Sequence, residues 1–278
     1  MNERFQRQSF LGPNSDEILE HCRVGVIGMG GGGSHIVQQL GHIGIGQLVV
    51  VDNDRVEESN LNRLVGATAT DAKKGRLKVD VARRVIKGIN PKARIKTIPK
   101  LWQTSGEDLR VCDVIIGCLD TFSARAELEA MARRFLIPYI DIGMDVHTVE
   151  TRFVISGQVI LSIPGHPCLR CVGFLNDYLL AQEAQRYGAA GARPQVVWPN
   201  GVLASLAVGI LMQLLTPWHG EHRTIEYLEF DGNQNIVVRS NRLAHLQTDR
   251  CPHFEDGDNL GDPFFGVACE KNALLCDA

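Results

Sequence analysis

Residues 28–33, GMGGGG, satisfy G-x-G-x-x-G and come directly after the apolar run RVGVIG at 23–28. Where a strand turns into a helix, missing side chains let backbone N–H groups and the helix N-terminus approach a phosphate, and Gly28, Gly30 and Gly31 stand where such a ligand would lie. Alone the pattern is weak. An NAD-dependent oxidoreductase carries it too, with an acid at the end of its second strand, and here Asp52 closes the run QLVVVD. The residues after Asp52 separate the two readings. The run DNDRVEESNLNR at 52–63 adds Asp54, Asn60 and Arg63, and Lys78 lies downstream. Hydride transfer has no use for that polar set, whereas breaking a triphosphate needs positioned cations. Arg63 or Lys78 alone would read as an ordinary helix-surface cation; their joint spacing from Asp54 and Asn60 argues otherwise. Lys73, Lys74 and Arg76 beside Lys78 read as a solvated basic face.

Two more clusters could do chemistry. Asp120, two residues after Cys118, either caps a helix opening near Ser123 or holds a cation, and the two roles are compatible. Cys168-x-x-Cys171, after the turn residues Pro164 and Gly165, is half of a tetrahedral thiolate–imidazole metal site. Cys251 with His253 completes it as Cys₃His, or Cys269 or Cys276 reaches it, or it holds no metal; ligand chemistry leaves all three open.

The elements that must position these residues can be read from periodicity. Short buried runs at 23–28, 47–52, 94–98, 112–116 and 138–142 alternate with helix-spaced segments at 34–43, 80–89 and 122–135, which predicts a parallel, doubly wound sheet. From Thr151 the pattern changes: 152–163 alternates like a hairpin, and 224–239 like a second antiparallel pair broken at Gly232 and Asn233. The expected fold class is therefore α/β, a Rossmann-like doubly wound mixed sheet with an α+β C-terminal half. We expect one domain over 1–278, with an N-terminal arm (1–22), a nucleotide-binding half (23–150) and a C-terminal half (151–278). The stretch 186–199, rich in Gly, Ala and Pro, is the candidate mobile loop.

Composition narrows the function classes. With 44% hydrophobic and 22% charged residues, the 278-residue chain can build a large core. A net charge of −3 leaves no basic stripe for nucleic acid. The polar start MNERFQRQSF is not a secretory signal, so a cytoplasmic protein is expected. The apolar run 202–215, interrupted by Ser205 and Gln213 and ended by Pro217, predicts a buried helix and no membrane partner. Eight cysteines in a reducing compartment point to metal, catalysis or core packing rather than disulfides.

Taken together, D-x-D at 52–54, SNLNR at 59–63, GRLK at 75–78, C-x-D at 118–120, RFQRQ at 4–8 and the CxxC at 168–171 resemble the MoeB/ThiF/HesA/E1 superfamily over nearly the whole chain. The resemblance implies ATP- and Mg²⁺-dependent adenylation of the C-terminal glycine carboxylate of a ubiquitin-like or sulfur-carrier protein. It implies that Asp52 holds the ribose, that Gly30 and Gly31 pack against the nucleotide, and that Asn60, Arg63 and Lys78 grip the triphosphate. Asp120 would carry Mg²⁺, with Thr121 beside it in the nucleotide site. Arg7 would reach into the neighbouring subunit's site, which implies a homodimer. Residues 143–150 and 181–198 would form the channel for the protein tail. Relatives complete their Zn²⁺ site with a second CxxC, where this chain has Cys251, Pro252, His253 and Phe254.

No cysteine lies between Val172 and Arg250, where relatives that form a thioester commonly carry one. The acyl-adenylate is therefore expected to pass to a cysteine of a separate E2-like or sulfur-transfer protein, or to sulfide. Cys22, Cys112 and Cys118 read as small buried hydrophobes, Cys269 and Cys276 as exposed tail thiols. A tRNA carboxylate-activating enzyme of the same superfamily ranks second, an NAD-dependent oxidoreductase third and an inactive interaction module fourth.

Overall fold

Runs without polar alternation can only be buried on both faces, and in the first half of the chain they form parallel strands. A computed structural model describes residues 3–185, 194–220, 224–247 and 249–254. In chain order its elements are α1 (Ser15–His21), β1 (Arg23–Ile27), α2 (Gly31–Ile43), β2 (Gln47–Val51), α3 (Ala69–Lys73), α4 (Lys78–Ile89), β3 (Arg94–Ile98), α5 (Gly106–Leu109), β4 (Val114–Gly117), α6 (Phe122–Arg134), β5 (Tyr139–Val149), β6 (Arg152–Ser162), α7 (Asp177–Gln185), α8 (Val197–Leu215), β7 (Ile225–Asp231) and β8 (Ile236–Arg239). The strands make one sheet in the order β3-β2-β1-β4-β5-β6-β7-β8. Neighbours from β3 to β5 are parallel and those from β5 to β8 antiparallel, which is the mixed, doubly wound α/β sheet expected.

The chain reverses its winding between β1 and β4, so their C-terminal ends open a crevice where ligands of such folds sit. One apolar cluster, containing Val24, Val26, Ile36, Leu40 and Leu211, covers one face beneath α2, α4 and α8. A second, containing Ile27, Val51, Leu128, Met131 and Leu169, covers the other beneath α6.

Three expectations change. Residues 152–163 do not form a hairpin by themselves; β6 is a single strand that pairs with β5 along its whole length. The alternation is real, but it marks a strand whose partner runs on past Ile142: there Asp145 and His147 are a polar, exposed continuation of β5. The apolar helix begins at Val197 rather than Val202, because Pro199 falls in its first turn, where a missing N–H costs nothing. At 19 residues it has the length and apolar composition to cross a bilayer, yet half of that stretch is buried inside the protein. The fourth strand begins at Val114, since Asp113 turns its carboxylate to the Arg23 backbone N–H (2.7 Å). Of the expected mobile loop, residues 186–193 lie outside the described residues.

The N-terminal arm is docked. Arg4 and Gln8 donate to the carbonyls of Gly41 (2.6 Å) and Ile43 (3.0 Å), satisfying orphan acceptors at the C-terminus of α2.

A buried carboxylate sets where α4, and with it Lys78, begins. Asp71, 2% exposed, completes a capping box with Thr68 at the start of α3. It also accepts from Arg84 of α4 (2.6 and 2.8 Å) and from Arg76 (2.8 Å). The Arg84 guanidinium holds the Asp71 carboxyl well below the usual carboxylate range. Asp71→Asn is expected to lower stability by about 2 kcal/mol at pH 7, read from the urea midpoint. Because the folded-state pKa is depressed, this contribution is present above the unfolded value of about 4 and is lost as pH falls towards the folded one. The gap between variant and wild type should therefore narrow in acid; a gap independent of pH contradicts the ion-pair account.

Candidate functional site

The crevice at the C-terminal ends of β1, β2 and β4 is a pocket lined by Gly28, Gly30, Gly31, Asp52, Asp54, Arg63, Lys78 and Asp120. These eight were all singled out from sequence, and the fold brings them together from four separate segments. Gly28 adopts φ +89°, and a β-carbon there would lie 2.4 Å from the Cys118 carbonyl oxygen, so only glycine lets the two loops meet. Gly30 faces open space, and Gly31 abuts the Asn200 side chain.

Asp52 ties the glycine turn to the second loop. Its two oxygens accept from the backbone N–H groups of Met29 (2.6 Å) and Asp54 (2.7 Å). Burial pushes its pKa up, while the charge of Lys78 and those two N–H groups pull the other way. Lys78 donates to Asp54 (2.7 Å), and its backbone N–H reaches the Asp54 carbonyl (3.0 Å), so the first residue of α4 is pinned to the loop after β2. The Lys78 side chain is only 11% exposed. Arg63 donates to the Ser59 carbonyl (2.8 Å) and to Asn62 (3.0 Å), while its buried Nε has no partner among the described residues. Asp120 lies within 3.5 Å of the Gln195 amide nitrogen.

Three predicted residues lie outside that lining. Asn60 is 8% exposed and its amide oxygen accepts from the Glu57 N–H (3.1 Å), closing a turn. Thr121, and not Asp120, caps α6, accepting from the Ala124 N–H (3.3 Å). Arg7 is exposed on the arm. Of the basic neighbours read as a solvated face, Arg76 is partnered by Asp71. Gly143 and Met144 from the first expected channel segment, and Gln195 from the second, also line the pocket. Sequence reasoning passed over Lys100, Trp102, Arg125 and Asn200, which line it as well. Arg125 had a signal: Arg125, Glu129 and Arg133 follow one another at intervals of four on one helix, and all three are buried.

That stripe of α6 links the pocket to the Cys/His group. Glu129 accepts from Ser162 Oγ (2.5 Å) and the Leu169 N–H (2.9 Å), and Arg133 donates to the carbonyls of His166 (2.8 Å) and Pro167 (3.0 Å). These bonds shape the knuckle carrying Cys168 and Cys171. The Sγ atoms of Cys168 and Cys171 stand 3.6 Å apart, those of Cys171 and Cys251 3.7 Å, and His253 Nδ1 is 3.5 and 3.4 Å from the first two. A tetrahedron with Zn–S bonds of about 2.3 Å has ligand atoms separated by about 3.8 Å, so this donor set fits Zn²⁺ in type, number and spacing. Cys269 and Cys276 lie outside the described residues. Cys22 and Cys112 are buried, and burial pushes each thiol up to about 12; burial pushes the Cys118 thiol up as well. None of the three has the character of an activated nucleophile.

Comparison with known proteins gives the fold a family. The ThiF family matches residues 4–253. The Sulfur carrier protein adenylyltransferase of Thermus thermophilus is 36% identical over 246 residues, 86% of this chain and 89% of that protein. The SAMP-activating enzyme E1 of Haloferax volcanii is 33% identical over 61% of this chain and 61% of its own length. The Adenylyltransferase and sulfurtransferase MOCS3 of Drosophila willistoni is 27% identical over 86% of this chain, which spans only 51% of that protein. Among solved structures, E. coli MccB with AMPCPP and MccA has a TM-score of 0.73 at 20% identity, covering 91% of this chain and 74% of its own; that likeness shows the fold. With a glycine turn, paired acids and positioned cations held on such a sheet, the chain belongs to the ThiF family.

Proposed function

We propose that the chain uses ATP to adenylate the C-terminal glycine carboxylate of a small ubiquitin-like or sulfur-carrier protein, releasing pyrophosphate. The observation that carries this is the convergence of Asp52, Asp54, Arg63, Lys78 and Asp120 on one pocket at the glycine turn. The kinship with the Thermus thermophilus Sulfur carrier protein adenylyltransferase supports it over nearly that protein's full length.

The chemistry explains why these residue types are needed. The carboxylate oxygen must be held in line with the α-phosphate while charge spreads over the phosphoryl oxygens and the leaving pyrophosphate. Asp52, oriented by two N–H groups, receives the ribose hydroxyls. Arg63 and Lys78 take the phosphate oxygens, with Asp54 keeping the Lys78 ammonium in place until they arrive. Asp120 offers a hard carboxylate oxygen suited to Mg²⁺, which when bound neutralises charge on the phosphates. The unit is a homodimer in which Arg7 serves the neighbouring subunit's site; a trans arginine is worth roughly 10³–10⁵ in rate in phosphoryl transfer. Cys168, Cys171, Cys251 and His253 would hold Zn²⁺, which would tie the knuckle to the segment near 251. With Cys22 and Cys112 buried, and the half-buried Cys118 thiol pushed up in pKa, the acyl-adenylate passes to a thiol of a separate protein or to sulfide. The setting is cytoplasmic, without membrane or nucleic-acid partners.

ATP–pyrophosphate exchange should depend on a small protein ending in glycine and should be absent with tRNA or with no acceptor; exchange driven by tRNA would favour the carboxylate-on-RNA reading instead. Asp120→Ala is expected to cut exchange by at least about 100-fold with an unchanged circular dichroism spectrum, and retained exchange would remove its role. Protein purified without a polyhistidine tag should carry one zinc per chain by elemental analysis, and Cys251→Ser should lose most of it. Wild-type protein free of zinc would contradict every metal assignment at this cluster.

A further inference from the structure

Arg125 is 7% exposed and lines the pocket, yet it has no part in the adenylation steps. Its Nε donates to the Leu119 carbonyl (2.8 Å), the peptide oxygen immediately before Asp120. Its Nη1 donates to Asp141 (3.0 Å), a fully buried carboxylate whose other oxygen accepts from Tyr139 Oη (2.8 Å). Gln158, with its amide oriented to donate to the Gly143 carbonyl (3.2 Å), accepts from Arg125 Nη1 (2.6 Å). A β-carbon at Gly143 would lie 2.0 Å from Nη2, so the strand leaves the guanidinium one place to lie.

We propose that Arg125 is a positioning residue for Asp120: clamped between Asp141, Gln158 and the bare backbone of Gly143, it fixes the 119–120 peptide and so aims the carboxylate assigned to the divalent cation. The inference rests on that assignment. A buried ion pair is a poor way to gain stability, because desolvating both charges offsets most of their attraction. Here it has another use. The segment before α6 is loop, and a carboxylate on a loop holds a cation well only when its backbone is fixed. Three ties do this: the Cys118 N–H to the Ile27 carbonyl (2.8 Å), Arg125 to Leu119, and the paired bonds from the Phe122 and Ser123 N–H groups to Glu183 (2.9 and 2.8 Å). Of the three, only the middle one comes from a side chain that is itself locked by buried charge.

The test is Mn²⁺ binding, monitored by electron paramagnetic resonance of the free ion, to full-length protein saturated with AMPCPP. Arg125→Lys keeps a cation facing Asp141 and removes the Nε donor. It should weaken Mn²⁺ binding about tenfold, with metal-free AMPCPP affinity, measured by calorimetry in EDTA, unchanged. Gln158→Ala, which leaves the ion pair in place, should shift Mn²⁺ affinity the same way by less, and it carries the test if the lysine variant does not fold. Wild-type Mn²⁺ affinity in both variants, with only the thermal midpoint lowered, means a purely structural role and overturns the inference. Wild-type protein that takes up no Mn²⁺, or an Asp120→Ala variant that still does, overturns the assignment to Asp120 and this inference with it.

Discussion

The contact on which the site depends is between two backbones. Gly28 meets the Cys118 carbonyl so closely that no side chain fits between them, and the Cys118 N–H returns a bond to Ile27. This joins the loop after β1 to the loop after β4 at the point where the sheet reverses its winding. The glycine turn, which can receive phosphate, and Asp120, which can receive a cation, are thereby placed on one crevice. Asp52 extends the same frame to the loop after β2 by accepting from Met29 and Asp54. The cost is a carboxylate whose pKa burial pushes up, opposed by the N–H groups and the nearby Lys78. Such expense at a pocket wall is what a binding site shows and a core avoids.

Helix α6 carries this frame across the molecule. Its first turn comes just after Asp120 and holds Arg125 against Asp141, while its middle and last turn hold Glu129 and Arg133 against the cysteine knuckle. Burial pushes the Asp141 and Glu129 pKa values up, opposed by Arg125 and Arg133 respectively. The Cys/His cluster and the pocket at the glycine turn are thus two ends of one buried polar stripe.

Much of this was legible in the sequence, and the parts that were not have physical reasons. Buried parallel strands announce themselves as unbroken β-branched runs, so 94–98 was read with the bounds of β3 and the other four within three residues at their starts, while only the exposed continuation of β5 was missed. Arg63 and Lys78 were legible from their joint spacing with Asp54 and Asn60, and Asp52 and Asp120 through the family resemblance their motifs carry. Asn60 shared that spacing, but a short polar side chain next to a turn can serve the turn instead, and it caps Glu57. Arg125 was missed because a charged residue on an amphipathic helix reads as solvated unless its burial partner, here Asp141 on a different element, is known. The pairing of Cys168 and Cys171 with Cys251 and His253, about 80 residues apart, is a tertiary fact that spacing could only suggest.

The account stands or falls on where a nucleotide binds. A crystal structure with AMPCPP should show the ribose on Asp52, the phosphates along the glycine turn, and the side chains of Arg63, Lys78 and Asp120 directed at the bond between the α- and β-phosphates. Adenosine bound elsewhere, or those three side chains turned away from the phosphates, would contradict it.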